Sequence, residues 1–314
     1  MAGEDGSVAT ATDAAPEALR PDVRSGRRRL SLAWLGTVPF FAYALLFLFL
    51  PAGQVLVGAF KAKDGSWTSA NLHALVHKPY IGYYETSIKI SLFTAIAGCI
   101  LGFFIAFAAI REGTPRWIRG IITTFSGVAA NFGGIPLAFA FIATIGNVGI
   151  VTKFLNDHLH WDIYPTHFPL FGNFTLFSAF GVGIVYMYFQ IPLMILVIAP
   201  AIDGLRREWR EAASNLGANA WQFWRHVGLP VLLPSLLGAT ILLFGNAFAA
   251  YATAYSLTAG SVGLVPVVIG YLYSGNVLDD PHLAQALAFG MFVVLFVMMA
   301  IYIPLQRRSA RWMR

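Results

Sequence analysis

The chain has 314 residues, 57% of them hydrophobic and only 11% charged, and its mean hydropathy of +0.66 excludes an ordinary water-soluble domain. The net charge of +6 would suit a polyanion partner, but 16 of the 21 Lys and Arg fall in four groups: Arg20 to Arg29, Arg111 to Arg119, Arg206 to Arg225 and Arg307 to Arg314. These groups stand at alternate ends of apolar segments, so they read as positive-inside topology rather than as a nucleic-acid surface.

Residues 1–30 are rich in Ala, Asp, Glu and Pro and close on Arg27-Arg28-Arg29, with no apolar face to bury; they are expected to be a disordered cytoplasmic tail. The apolar segment that follows is too long for a cleaved signal peptide. Six membrane helices are predicted, at 33–60, 86–110, 118–146, 175–202, 232–258 and 282–305, because each apolar run reaches the roughly 20 residues a bilayer requires. The fold class is therefore all-α membrane protein. The membrane domain is read as 31–306, followed by a basic cytoplasmic tail at 307–314. Both termini then face the cytoplasm, whereas 61–85, 147–174 and 259–281 face outward, the last with Gly260, Gly263, Pro266 and Asp279-Asp280-Pro281 as turn chemistry.

Within the helices, Pro39, Pro51, Pro136, Pro192 and Pro200 predict breaks whose freed backbone groups need partners. Small residues such as Gly98, Gly102, Ala106, Gly127, Gly181, Gly183, Gly238 and Gly245 would let helices approach closely. The run Asn131-Phe132-Gly133-Gly134-Ile135-Pro136 is the best candidate for a broken helix opening on a cavity. Polar or aromatic residues inside apolar helices mark a transport path, and the candidates are Asn131, Tyr186, Tyr188, Gln190, Asn246, Tyr251 and Tyr255. Each could equally serve an interhelical hydrogen bond. Lys89, near the outer end of its helix, reads as a snorkelling residue. His158, His160 and His167 lack the spacing of a metal site, and Cys99 reads as a small buried hydrophobe.

The segment 203–230, between the fourth and fifth helices, has its own helical pattern. Leu205, Trp209, Ala212, Ala213 and Leu216 make one apolar face, Gly217 fits a helix stop, and a second short helix is expected from about Asn219 to His226, ended by Gly228 and Pro230. Its pattern fits either a helix lying on the membrane surface or a knob offered to a cytoplasmic partner.

Glu211-Ala212-Ala213, three residues, Gly217, nine residues and Val227-Gly228-Leu229-Pro230 resemble the EAA motif of binding-protein-dependent ABC importer permeases. Only Val227 departs from that pattern, which has Ile there. The resemblance covers roughly the last four helices. It implies a coupling helix seated on a separate nucleotide-binding subunit, with Glu211 in polar contact, Gly217 allowing the turn, Trp209, Leu216 and Phe223 anchoring the loop, and Leu229 and Pro230 completing the motif. It also implies two copies of the ATP-binding subunit, a second permease, the same or related, and an extracytoplasmic solute-binding protein, all at a bacterial inner membrane.

The sequence has no GxxxxGK[ST] phosphate loop, so ATP and Mg would be used by the partner and this chain would bind no cofactor and no metal. No nucleophile, base and orienter arrangement suggests catalysis. The general layout is similar to the branch of the family serving polyamines, phosphonates, thiamine and iron, which suggests a polyamine or similar small solute. An ATP-independent carrier or channel is the alternative.

Overall fold

A computed structural model of the chain describes residues 36–110, 114–161, 164, 167–168, 172–173, 175–274 and 281–310. The expected tail at 1–30 lies outside these residues. The chain divides into two units, 1–50 and 51–314.

In the first unit, α1 (Val38–Ala44) carries Pro39 in its first turn, where a missing N–H costs nothing, and continues through a π-helical turn at Leu45–Phe49. Helix α2 (Leu50–Gly58) leads into the second unit, and α3 (Ala70–Leu75) follows. The long α4 (Tyr80–Ile110) begins earlier than the predicted 86, and most of its own buried residues are small.

The predicted single helix at 118–146 is two helices. Helix α5 (Arg116–Ala129) and α6 (Gly134–Ile145) are separated by a break in which Gly134 takes φ +72°, a conformation that Cβ-bearing residues avoid. The Asn131 to Pro136 run is thus a broken helix, as its glycines suggest. Helix α7 (Ile150–Leu159) and a two-residue antiparallel pair, β1 (His167–Phe168) with β2 (Gly172–Asn173), occupy what was expected to be an outer loop.

Helix α8 (Ala179–Asp203) runs through the centre with Pro192 and Pro200 inside it. Helix α9 (Arg207–Asn215) and α10 (Ala220–Phe223) come next. A π-helical turn at Trp224–Gly228 joins α10 to α11 (Leu229–Ala249), so the second short helix does not end at Gly228 and Pro230 as expected. The fifth predicted helix is instead interrupted at Ala250 and resumes as α12 (Ala252–Thr258). Helix α13 (Val265–Tyr273), with Pro266 in its first turn, replaces part of the expected loop, and α14 (Pro281–Ala310) carries its helix past the predicted 305.

Six stretches among the described residues are long and apolar enough to cross a membrane: Val38–Gly58, Tyr80–Ile110, Gly134–Leu159, Ala179–Asp203, Ala220–Ala249 and Pro281–Arg307. Their packing in the second unit centres on α4 against α8, with α11 against both. Lipid tails are as apolar as Leu, so close van der Waals fit has to hold these helices together. A Cβ on Gly102 would stand 2.6 Å from Met194 Cβ, and one on Gly98 would stand 3.0 Å from Gln190 Cβ. Those two glycines are what allow the α4 and α8 backbones to approach. One core runs along α4 from Tyr84 to Ala106 with Met194, Ile198, Leu243, Phe244 and Leu287, and a second gathers Leu137, Val185, Tyr186, Ala254 and Val267.

Candidate functional site

Two places concentrate the candidate residues. The first is the segment from Asp203 to Pro230. Helix α9 stops where the sequence suggests: Gly217 takes φ +78°, its N–H donates to Ser214 O at 2.9 Å, and Ala218 N–H reaches back to Ala213 O at 2.9 Å. This pair of bonds satisfies carbonyls that a helix end would leave open, and it needs a residue that tolerates a left-handed backbone. Asn219 then starts α10 with a reciprocal cap, its side chain accepting from Gln222 N–H while Gln222 Oε1 accepts from Asn219 N–H. The two short helices are therefore punctuated by hydrogen bonds made within the segment itself.

The orientation of α9 differs from the expected one. Its Arg207, Arg210, Ala213 and Ser214, with Arg206 just before it, face a groove against the bundle. Leu216 is 88% exposed and Trp209 38% exposed, so neither anchors the loop within this chain; Phe223, at 7%, does. Glu211 and Ala212 are exposed, Ala213 is half-buried, and Trp221 adds a further exposed ring. Leu229 is also exposed and Pro230 half-buried, at the head of α11.

The helix survives Pro230 because of the turn before it. Leu229 N–H bonds Trp224 O, five residues back, so the chain is wider where a proline ring would otherwise strike the preceding turn. Gly228 fits under the Trp224 ring, where a Cβ would meet Trp224 Cε3 at 2.7 Å. Arg119 forms an ion pair with Asp203, tying α5 to the end of α8 just before the segment begins. Sequence reasoning had no means of finding that pair, whose members are 84 residues apart.

The second place is where two interrupted helices meet. Gly134 N–H, at the start of α6, donates to Thr253 Oγ1 at 2.8 Å, and Tyr186 Oη donates to Ala250 O at 2.8 Å. Each break is thus satisfied by a side chain from another helix, as a break at membrane depth requires. Gln190, fully buried, donates from Nε2 to Leu243 O at 2.8 Å. Of the predicted path residues, Tyr186 and Gln190 are consequently interhelical fasteners. Tyr188 packs its ring between Phe132 and Phe141, with centroids 6.1 and 5.9 Å away. Asn131, Asn246, Tyr251 and Tyr255 are exposed. Asn131 Nδ2 bonds Gly127 O, Tyr251 and Tyr255 stack at 5.5 Å, and Tyr271, which the sequence reading missed, stands edge-on to Tyr255 at 5.6 Å.

Lys89 pairs with Glu85 one turn earlier at 2.5 Å, both side chains exposed. His158 stacks on Phe154, and His160 takes φ 51° just after α7; the described residues contain no group of three metal-ligating side chains.

The family described as binding-protein-dependent transport system inner membrane component matches residues 98–314. The chain belongs to that family. It is a multi-pass inner-membrane permease of the ABC importer type, which works with ATP-binding subunits and a solute-binding protein in ATP-driven uptake. The ATP-independent alternative is set aside by that membership. Among relatives, a probable sulfate transport system permease protein of Zygnema circumcarinatum is 25% identical over 85% of this chain and 87% of its own. A spermidine/putrescine transport system permease homologue of Mycoplasma pneumoniae is 26% identical over 87% of this chain and 90% of its own. A bacterial ABC transporter involved in alginate import, at 16% identity, has the same fold, with a TM-score of 0.68 over 88% of this permease and 95% of that chain.

Proposed function

We propose that α9 is the coupling helix of this permease, and that its outward face, Glu208, Glu211, Ala212 and Leu216, seats on the ATP-binding subunit. The observation that carries this is Leu216, 88% exposed at the end of a charged helix and covered by none of the described residues. A short helix fixed by a glycine stop at one end and continuous with α11 beyond α10 can pass a rigid displacement into the bundle. ATP and Mg act on the partner, which contributes two copies, and a second permease of the same or related sequence completes the pore. Both termini face the cytoplasm.

The path for solute follows the two breaks and the residues beside them: half-buried Tyr188 and exposed Asn131, Asn246, Tyr251 and Tyr255. The relatives' names include sulfate and spermidine/putrescine, solutes of opposite charge. Helices α6, α11, α12 and α13 contain no Asp, Glu, Lys or Arg, and Tyr251, Tyr255 and Tyr271 offer clustered ring faces. Ring faces attract cations and do nothing for a dianion. A polyamine or similar small organic cation fits that chemistry.

The test of coupling is the assembled complex carrying Glu211→Ala and Leu216→Glu. Solute-stimulated ATP hydrolysis is expected to collapse; retention of both assembly and stimulated hydrolysis would contradict the assignment. Labelled spermidine and labelled sulfate, offered to the same vesicles, decide the solute class, and uptake of sulfate alone would overturn the cation reading.

A further inference from the structure

The break at Ala250 stands between the part of the chain that is driven and the part that meets solute. Helix α11 follows directly on the π-helical turn after α10 and runs to Ala249, and α12 resumes at Ala252 beside Tyr251 and Tyr255. Against this break lies a cavity of about 10 Å³, lined among others by Ser87 and Ser91 of α4, Tyr186 of α8, Ala247 and Ala250 at the end of α11 and Leu264 just ahead of α13. That is room for one water molecule and little more. The polar groups around it are only partly satisfied. Ser87 Oγ accepts from Val265 N–H at 3.0 Å, which leaves its own O–H without an acceptor among the described residues. Ser91, 1% exposed, makes no side-chain hydrogen bond among them. Tyr186 Oη donates its proton to Ala250 O and keeps its capacity to accept. Two buried donors and one acceptor thus share a space the size of one water, and buried hydroxyls without partners are costly.

We propose that this cavity binds a single ordered water, which accepts from the hydroxyls of Ser87 and Ser91 and donates to Tyr186 Oη, and that the water makes the Ala250 break a hinge. Three hydrogen bonds are the usual complement of a buried water. A cation is the poorer occupant, because no Asp or Glu lines the cavity and a charge at membrane depth needs a partner. A water and three hydroxyls can exchange partners through small movements, so α12 can tilt against α11 while the polar groups at the break stay satisfied. A dry, apolar filling would hold the break in one geometry. The hinge role rests on the reading of α9 as the coupling helix, from which α11 receives its displacement. The water site stands without it.

The experiment is a structure of the assembled complex at a resolution that shows ordered water, determined for wild-type protein and for Ser91→Ala, with solute uptake and ATP hydrolysis measured on the same preparations. Wild-type protein is expected to show one density peak within hydrogen-bond reach of Ser87 Oγ, Ser91 Oγ and Tyr186 Oη. Ser91→Ala removes one of the three partners and no other side-chain hydrogen bond of the described residues. The peak should vanish, and solute carried per ATP should fall about five-fold while stimulated hydrolysis persists. An empty cavity in wild-type protein, a peak undiminished in Ser91→Ala, or a peak that strengthens when thallium replaces potassium would overturn the water site. A lost peak with uptake per ATP unchanged would overturn the hinge. Leu216→Glu separates the two readings: it should uncouple hydrolysis and leave the peak in place, and a complex still coupled after that change would remove the coupling assignment without touching the water.

Discussion

Gly217 shows how one residue can set the geometry of a coupling loop. Its φ of +78° is the reason for glycine, since a Cβ there would meet no other atom within 4 Å. Gly217→Ala therefore tests backbone strain without a clash, at an expected cost of about 1–2 kcal/mol. Gly217→Asn should be milder, because Asn tolerates the left-handed region. Stimulated ATPase activity of the two variants, compared at equal assembly, is the measurement; equal activities would mean that the turn does not matter. Gly102 is constrained in the opposite way, by space. Its Cβ would collide with Met194 Cβ and with Ile191 O at 2.9 Å, so Gly102→Leu should lose about 1–3 kcal/mol or more. Thermal unfolding of the solubilised complex reads that loss, and an unchanged midpoint would mean α4 and α8 separate freely. Both glycines could be singled out from the sequence, but only the structure separates the one held by φ from the one held by packing.

At the scale of elements, the breaks were less legible than the helices. The break at 130–133 was foreseeable from Gly133, Gly134 and Pro136. The break at Ala250 was not, because Ala249-Ala250-Tyr251-Ala252 contains no breaker; its freed Ala250 carbonyl accepts from Tyr186, a residue remote in sequence. Tyr186→Phe should therefore cost about 1 kcal/mol while leaving the core filled, and a melting curve unmoved by it would contradict this account. Leu229-Pro230 misled in the other direction. The same pattern occurs twice: a π-helical turn at Leu45–Phe49 precedes Leu50-Pro51, and another at Trp224–Gly228 precedes Leu229-Pro230. In both, the Leu N–H reaches five residues back, and the helix runs on through the proline. Gly228→Ala should disturb the second turn by pressing on Trp224, and Trp224→Leu should rescue it. A double-mutant cycle on thermal stability that showed simple additivity would remove that explanation.

For the whole molecule, hydropathy was a sufficient guide to six spans and to an all-helical class, because the bilayer demands long apolar helices and little else from the sequence. It was a poor guide to how the third span is built. The run from 120 to 146 carries no Asp, Glu, Lys or Arg, yet it is divided between α5 and α6, and the apolar stretch at membrane length runs from Gly134 to Leu159. Hydropathy records solubility, and the break is a matter of which side chains meet. Orientation rests on charge, and it has a direct check. Alkaline phosphatase fused after His160 should be active, having been exported, and fusions after Gly217 or Arg314 should be inactive. The reverse pattern would place α9 on the wrong side for any ATP-driven partner.

The central claim is that the outward face of α9 touches the ATP-binding subunit. Cys99 is the single native cysteine and lies within α4, half-buried, so it can be replaced by Ala and a new cysteine placed at will. In that background Leu216→Cys, paired with single cysteines on the ATPase in the intact complex, should give a disulfide cross-link, and its yield should change with ATP. Val148→Cys, exposed between α6 and α7 at the opposite end, should give none. Absence of any Leu216→Cys cross-link in a complex that assembles and hydrolyses ATP, or an equal yield from Val148→Cys, would contradict the account.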